Sequence, residues 1–319
     1  MKSNDTINKN ILSSLGGRPK DLYAAASHLI EHGGKRLRPH MVLDSCKMLG
    51  GRTNNAMYAA TAIEMIHNFT LIHDDMMDND ELRHGVPTVH NKFGMPVAIL
   101  SGDVLYSKAF EVISHKNLTV NMSTSLVRVL ARACIEVCEG QMLDIQMAEY
   151  KKIPSQKEYI IMIQKKTSAL FEASCAMGAI CANAKSNDVK NLASFGKNLG
   201  IAFQITDDLI GVVGDSKITK KPVGNDLREG KKSLPIVLAI RMAKGNDKKT
   251  ILKAFGNKKA SKIMISKAVQ TIIHLGVEEQ VRKTANQYAN RAKRSLNSYS
   301  GKSHADLLSL LDFIVERSK

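Results

Sequence analysis

The sequence predicts an all-α protein, a bundle of about ten or more helices in one domain spanning residues 1–319. Three observations predict it. Apolar residues recur in threes and fours over long stretches. Alternating strand patterns with hairpin turns are scarce, and most of the seven prolines fall at positions suited to helix edges or loops. With 319 residues and 44% hydrophobic content, the chain has enough apolar surface for a large core.

The helical windows follow in order. Met57–His73 is apolar at 59, 62, 63, 66, 69 and 70/71. Val97–Ser114, Met122–Tyr150, Tyr159–Ala184 and Val189–Val213 repeat the pattern. Breaks rich in glycine, proline and charge lie at 31–39, 79–96 and 214–235. No low-complexity stretch or linker divides the chain. Residues 1–10 are polar, unlike a secretory leader. No run reaches the roughly 18 apolar residues of a membrane span. The five cysteines lack zinc-type spacing and read as reduced, mostly buried thiols of a cytoplasmic protein.

The net charge is +16, of which +11 lies between Arg241 and Lys319, where 17 Lys/Arg meet 6 Asp/Glu. Tryptophan is absent and aromatics make up 5%, so no nucleic-acid signature interleaves aromatics with the charge. The basic quarter reads as a solvated helix face; a peripheral contact with an anionic membrane is the alternative.

Two aspartate clusters carry the chemistry. In Leu71-Ile72-His73-Asp74-Asp75-Met76-Met77-Asp78-Asn79-Asp80, Asp74 and Asp78 lie one helical turn apart on the same face. Two such carboxylates repel unless a cation sits between them, and oxygen-only donors favour Mg²⁺. A solvated acidic helix end is the plainer alternative. The second cluster, Phe203-Gln204-Ile205-Thr206-Asp207-Asp208-Leu209-Ile210-Gly211, again sets an Asp pair at the end of an apolar helix. Basic residues in glycine-rich settings accompany both: Gly33-Gly34-Lys35-Arg36-Leu37-Arg38-Pro39, Leu82-Arg83-His84-Gly85, Lys165-Lys166-Thr167, and Lys220 to Lys232. Glycine admits a phosphate close to the backbone, and Lys or Arg neutralises it. Each loop alone reads as surface; together they suit a diphosphate chelated by several Mg²⁺.

These motifs, from about Gly33 to Leu238, resemble the trans-isoprenyl diphosphate synthases (polyprenyl synthetases), and most closely their archaeal short-chain members. The DDxxD motif is Asp74, Asp75 and Asp78; GGKRxRP is residues 33–39; the Lys-Thr pair is Lys166-Thr167. Phe203-Gln204 precedes Asp207-Asp208, and KPxxxD and EGK are Lys221 to Asp226 and Glu229 to Lys231.

The resemblance implies the isoprenoid synthase fold, helices around a central cavity, usually in a homodimer. It implies about three Mg²⁺ per site on Asp74, Asp78 and Asp207, supported by Asp75, Asp208 and Asp226. Arg83, Lys166, Lys221 and Lys231 would hold the allylic diphosphate; Lys35, Arg38, His67 and His84 would hold isopentenyl diphosphate. Thr167 and Gln204 would present oxygen dipoles to the allylic cation. The implied reaction is Mg²⁺-dependent head-to-tail condensation by a prenyltransferase of isoprenoid biosynthesis. Phe69 and Thr70, before the first cluster, would form the floor that limits chain length. The expected product is geranylgeranyl diphosphate. Farnesyl diphosphate, a non-catalytic partner subunit and a class I terpene cyclase are the competing readings.

Two positions depart from the family pattern. His84 stands where members commonly have a second arginine, and Gly211 where many have the last Asp of a second DDxxD. With one imidazole donor in place of a guanidinium fork, isopentenyl diphosphate is expected to bind more weakly or with pH dependence.

Overall fold

In the computed structural model, residues 2–149, 152–213 and 224–316 are described. The chain is all-α, as its periodicity predicts. The helices are α1 (Lys2–Ser14), α2 (Lys20–His32), α3 (Leu37–Met48), α4 (Thr53–Asp78), α5 (Val89–Phe93), α6 (Met95–Ile113), α7 (Val120–Glu149), α8 (Gln156–Ile163), α9 (Ala169–Cys181) and α10 (Ser186–Val213). They continue with α11 (Asn225–Glu229), α12 (Leu234–Met242), α13 (Gly245–Ala254), α14 (Lys262–His274), α15 (Val277–Ser295) and α16 (Lys302–Glu316). Among the described residues, the strands are β1 (Leu82–Arg83) and β2 (Val86–Pro87), a small antiparallel hairpin with Leu82 opposite Pro87. No helix of the described residues is long and apolar enough to cross a membrane.

The chain groups into two compact units. The first comprises Met1–Cys134, Leu170–Gly196 and Tyr299–Leu307. At its centre α4 packs against α1, α3, α5 and α6. A helix enclosed by neighbours buries more than one stripe, and α4 does so with Ala56, Ala59, Ala60, Ile63, Met65, Ile66 and Ile72. Its small residues let neighbouring helices approach, while the larger ones fill the space between. Asn79 ends the helix in the left-handed conformation at φ 54, which Asn adopts more readily than most residues. The Asp80 N–H closes the last turn onto the Asp75 carbonyl at 2.9 Å. The first aspartate cluster is thereby fixed in the final turns of α4.

The second unit comprises Ile135–Ala169, Lys197–Ser298 and Leu308–Lys319. Its core gathers Tyr159, Ile163, Ile205, Leu209, Leu227, Ile236, Ile251 and Ile272, among others, from α8 and α10 to α14. A capping box starts α8: Ser155 accepts from Glu158 N–H, and the Glu158 carboxylate accepts from Ser155 N–H at 2.6 Å. Between α8 and α9 the helix widens into a π-turn over Gln164–Ser168. The sequence periodicity carries no sign of it. The second aspartate pair also differs from expectation: α10 runs on to Val213, so Asp207 lies inside the helix rather than at its end. The apolar Leu209, Ile210 and Val212, with Leu209 and Val212 fully buried, carry the helix onward.

Candidate active site

The expected site residues fall into two sets, one in each unit. In the first unit, Asp74 and Asp78 lie on α4 with Asp75 buried between them. The carboxylates occupy the C-terminal turns of a helix, where the backbone dipole is already negative, so they attract cations strongly. Arg83 answers Asp75: its Nε donates to Asp75 Oδ1 at 2.8 Å, its Nη2 meets the same oxygen, and Asp80 lies 3.3 Å away. Burial works against the Arg83 charge, yet its bonds to Asp75 and the pull of Asp80 and Asp74 raise its pKa. Burial pushes Asp75 up, opposed by Arg83. Asp74 and Asp78 both sit nearer the surface than Asp75.

A basic cluster surrounds His67 in the same unit. Arg36 is buried and fully engaged, donating to Glu64 Oε1 at 2.9 Å, Asn8 Oδ1 at 2.7 Å and the Ile30 carbonyl at 2.5 Å. Arg38 differs. Its guanidinium stacks 4.3 Å above the Phe171 ring, and its Nε is buried without a hydrogen-bond partner. Burial lowers its pKa to about 10, partly offset by Glu64. Burial first, then Arg38, Arg36, Arg83 and His84, holds His67 well below the usual imidazole range, so it is neutral. Lys35, next to Arg36 in sequence, is exposed. His84 sits at φ 54 in the turn of the β1–β2 hairpin, followed by Gly85 at φ 82, the two positive angles such a turn requires. The His84 ring lies over Gly33 closely enough that a Cβ there would come within 3.1 Å. Arg36 and Arg38 thus act on Glu64, and Arg83 and His84 join them around His67, a surplus of positive charge suited to an anion.

Phe69 and Thr70 occupy the α4 turn before the aspartates. Phe69 stands edge-on to His73 at 4.6 Å and to Tyr106 at 5.4 Å, and Tyr106 in turn lies 5.0 Å from Phe110. The Thr70 hydroxyl donates to the His67 carbonyl at 2.7 Å.

In the second unit, Asp207 is exposed on α10 and Asp208 points inward. Tyr159 donates to Asp208 Oδ2 at 2.6 Å and Gln204 Nε2 to Oδ1 at 2.7 Å. Burial pushes Asp208 up to about 7 despite these bonds, with Asp226 and Asp207 adding repulsion. Thr167 donates to Gln204 Oε1 at 2.9 Å, so the Gln204 amide is oriented from both ends. Lys166, in the π-turn, reaches Asp144 Oδ2 at 2.7 Å. Lys231 lies 3.9 Å from Asp226 and 3.6 Å from Glu229. Lys221 falls outside the described residues.

Gly211 has a steric reason. A Cβ at this position would come within 2.5 Å of Asp226 Oδ2 and 3.1 Å of its Cγ. The Asp226 carboxylate fills the space that a side chain at 211 would need. Asp207, Asp208 and Asp226 therefore form one acidic group, although Asp226 is 18 residues away in sequence.

Several participants were not legible in the sequence. Asp144, which anchors Lys166, left only an acid one turn after Gly140 on a helix. Tyr159, buried with its hydroxyl on Asp208, read as core. Glu64, in an apolar window, showed only as a polar interruption. No three carboxyl, imidazole or thiol groups of the described residues converge tightly enough to hold an ion by themselves.

The polyprenyl synthetase family model matches residues 19–272, most of the chain and all the family motifs above. The chain belongs to this family. A geranylgeranyl diphosphate synthase of Sulfolobus acidocaldarius is 41% identical, over 99% of this chain and 96% of that one. A geranylfarnesyl diphosphate synthase of Aeropyrum pernix is 39% identical, over 98% and 99% respectively. The crystal structure of a geranylgeranyl pyrophosphate synthetase from Pyrococcus horikoshii superposes with a TM-score of 0.93 at 38% identity, covering 99% of this chain and 96% of that chain. As a polyprenyl synthetase the chain is a trans-prenyltransferase with the fold of that family, as its motifs imply.

Proposed function

We propose that this polyprenyl synthetase condenses isopentenyl diphosphate head to tail with allylic diphosphates and releases chiefly geranylgeranyl diphosphate. The observation that carries the reading is that acids and cations are paired in both sets: Asp75 with Arg83, and Asp144 with Lys166. Asp74 and Asp78 lie on the same helix turns as Asp75, and Asp207 adjoins Asp208, so each set offers further carboxylate oxygens to a metal.

The donors fit Mg²⁺. They are all oxygen, which suits a hard cation that keeps waters and shares phosphate oxygens with its substrate. Asp74, Asp78 and Asp207 would hold about three such ions, oriented by Asp75, Asp208 and Asp226. When bound, Mg²⁺ neutralises the diphosphate and eases departure of the leaving group.

Arg83, Lys166, Lys221 and Lys231 hold the allylic diphosphate. Arg38, with an unused Nε–H, and Lys35, neutral His67 and His84 hold isopentenyl diphosphate. The allylic C–O bond breaks with its electron pair leaving on the diphosphate. The isopentenyl double bond then attacks the allylic carbon, and a proton from the neighbouring carbon passes to the released diphosphate. Thr167 and Gln204 turn oxygen lone pairs toward the cation, and their mutual hydrogen bond limits the rearrangement needed as charge develops. Phe69, held edge-on by His73 and Tyr106, is a rigid stop for the growing tail, with Thr70 beside it.

The reading includes a homodimer in the cytoplasm. α6 exposes Met95 at 45%, Ile99 at 43% and Leu100 at 54%, an apolar face of the kind a second copy covers. No disulfide joins any of the five cysteines, in keeping with a reducing compartment. Purified chain incubated with isopentenyl diphosphate, a five-carbon allylic primer and Mg²⁺ is expected to release inorganic diphosphate through many turnovers. Absence of release under these conditions would overturn the reading in favour of a partner subunit.

A further inference from the structure

The basic surplus of the C-terminal quarter is concentrated in one helical hairpin. α13 and α14 pack together, and residues 245–274 hold seven lysines, one acid (Asp247) and no arginine. Lys248, Lys249 and Lys253 on α13, Lys258 and Lys259 in the turn, and Lys262 and Lys267 on α14 are all exposed. No described acid forms a salt bridge with any of the seven.

The two helices separate their faces cleanly. Ile251 and Ala254, with Ile265, Ala268, Val269 and Ile272, turn inward to the core of the second unit. The outer stripe of α13 is Lys248, Lys249, Leu252 and Lys253, at the one-four-five spacing that places residues side by side. On α14 the matching stripe is Lys262, Ile263, Ser266 and Lys267. Leu252 is 45% exposed and Ile263 82%, so both stripes set an uncovered aliphatic side chain among ammonium groups.

We propose that this outer face of the α13–α14 hairpin docks on an anionic membrane surface. Clusters of four to eight lysines draw anionic headgroups at about 1 kcal/mol per residue near the surface. Aliphatic side chains at the same level enter the boundary between headgroups and acyl chains. Nucleic acid fits less well, because its sites draw on arginine forks and stacking aromatics. The hairpin has no arginine, and its one aromatic, Phe255, is packed against the core. The inner side of the hairpin also supports the segment around α11: Gly256 N–H donates to the Leu227 carbonyl at 2.9 Å, and Gly224 rests on Ile265 and Val269. The docking face thus belongs to the element that backs Asp226. The docking stands independently of the proposed reaction, although a prenyl diphosphate product is itself an amphiphile that partitions into lipid.

The test is sedimentation of the full chain with vesicles of phosphatidylcholine alone or with about one-third phosphatidylglycerol, at low and high salt. The expected result is retention on the anionic vesicles only, lost at high salt. Lys258→Glu/Lys259→Glu/Lys262→Glu is expected to weaken binding at least about tenfold. Ile263→Ser is expected to weaken it while leaving the salt dependence in place. Diphosphate release by the triple variant without vesicles, compared with the unaltered chain, reports whether the fold is intact. Circular dichroism does the same if neither chain turns over, so failure of the proposed reaction does not obscure the vesicle result. No retention on anionic vesicles, equal retention on neutral ones, or full retention by the triple variant would overturn the proposal. So would duplex DNA that strips the unaltered chain from the vesicles but no longer binds the triple variant, which would assign the face to nucleic acid.

Discussion

At the scale of single residues, the two departures from the family pattern have different characters. His84 lies over Gly33, and its partial burial there, with the nearby Arg83 and Arg36, lowers its pKa, so near neutral pH it offers a donor without a charge. Replacing it by arginine restores a charged, forked donor. His84→Arg is expected to lower the KM for isopentenyl diphosphate several-fold with kcat little changed; an unchanged KM in initial-rate kinetics would show that position 84 does not touch this substrate. Gly211 is a departure in sequence that is compensated in space. Asp226 occupies the volume beside it, so Gly211→Ala must displace a carboxylate. We expect this variant to need more Mg²⁺ for half-maximal rate and to lose at least about tenfold in kcat, a barrier increase of about 1.4 kcal/mol. A Mg²⁺ titration identical to that of the unaltered chain would remove Asp226 from the metal-binding group.

At the scale of elements, periodicity and charge read well where a helix is long and its motif is local. α4 and the Asp74–Asp78 spacing were legible because residues four apart on one helix meet by geometry alone. The π-turn was not, since it falls in the polar run Gln164-Lys165-Lys166-Thr167, where no apolar residue marks the shift in phase. Its cause lies on another helix. A Cβ at Gly140 would collide with Lys166 N and come within 2.6 Å of Lys165 C and Lys166 Cα. Backbone therefore packs on backbone, and Lys166 is carried to Asp144. Gly140→Ala is expected to cost about 1–3 kcal/mol in urea unfolding. Equal midpoints would mean that α7 does not hold the π-turn in place. The window Val189–Val213 matches the extent of α10, but the place of its aspartates escaped the sequence: Asp207 and Asp208 read as a polar end, whereas the Tyr159 hydroxyl makes an inward Asp208 tolerable within the helix.

At the scale of the molecule, pairings between distant positions decide what sequence spacing cannot. Arg36 with Glu64, Tyr159 with Asp208 and Asp226 beside Gly211 join residues 15 to 49 positions apart. The family motifs nevertheless named most of the members, since Asp, Lys and Gln in glycine-rich settings stand out in composition. Global stability carries one consequence of the basic cluster. His67 has a folded pKa well below its ordinary value of about 6.5. The unfolded chain therefore binds its proton first as pH falls, and stability present above pH about 6.5 is lost progressively on acidification. In His67→Gln this loss is expected to shrink, measured as the fall in Tm between pH 7 and pH 5. An unaltered fall would place the acid sensitivity elsewhere.

The central claim, a prenyl condensation that stops at a floor set by Phe69, is tested most directly by chromatography of the products. Purified chain is supplied with labelled isopentenyl diphosphate, Mg²⁺ and, separately, five-, ten- and fifteen-carbon allylic primers, alongside Phe69→Ala. The account predicts twenty-carbon product from all three primers, and longer chains when the Phe69 ring, now seated against His73 and Tyr106, is removed. Product of another length from the unaltered chain, or the same distribution from Phe69→Ala, would contradict it.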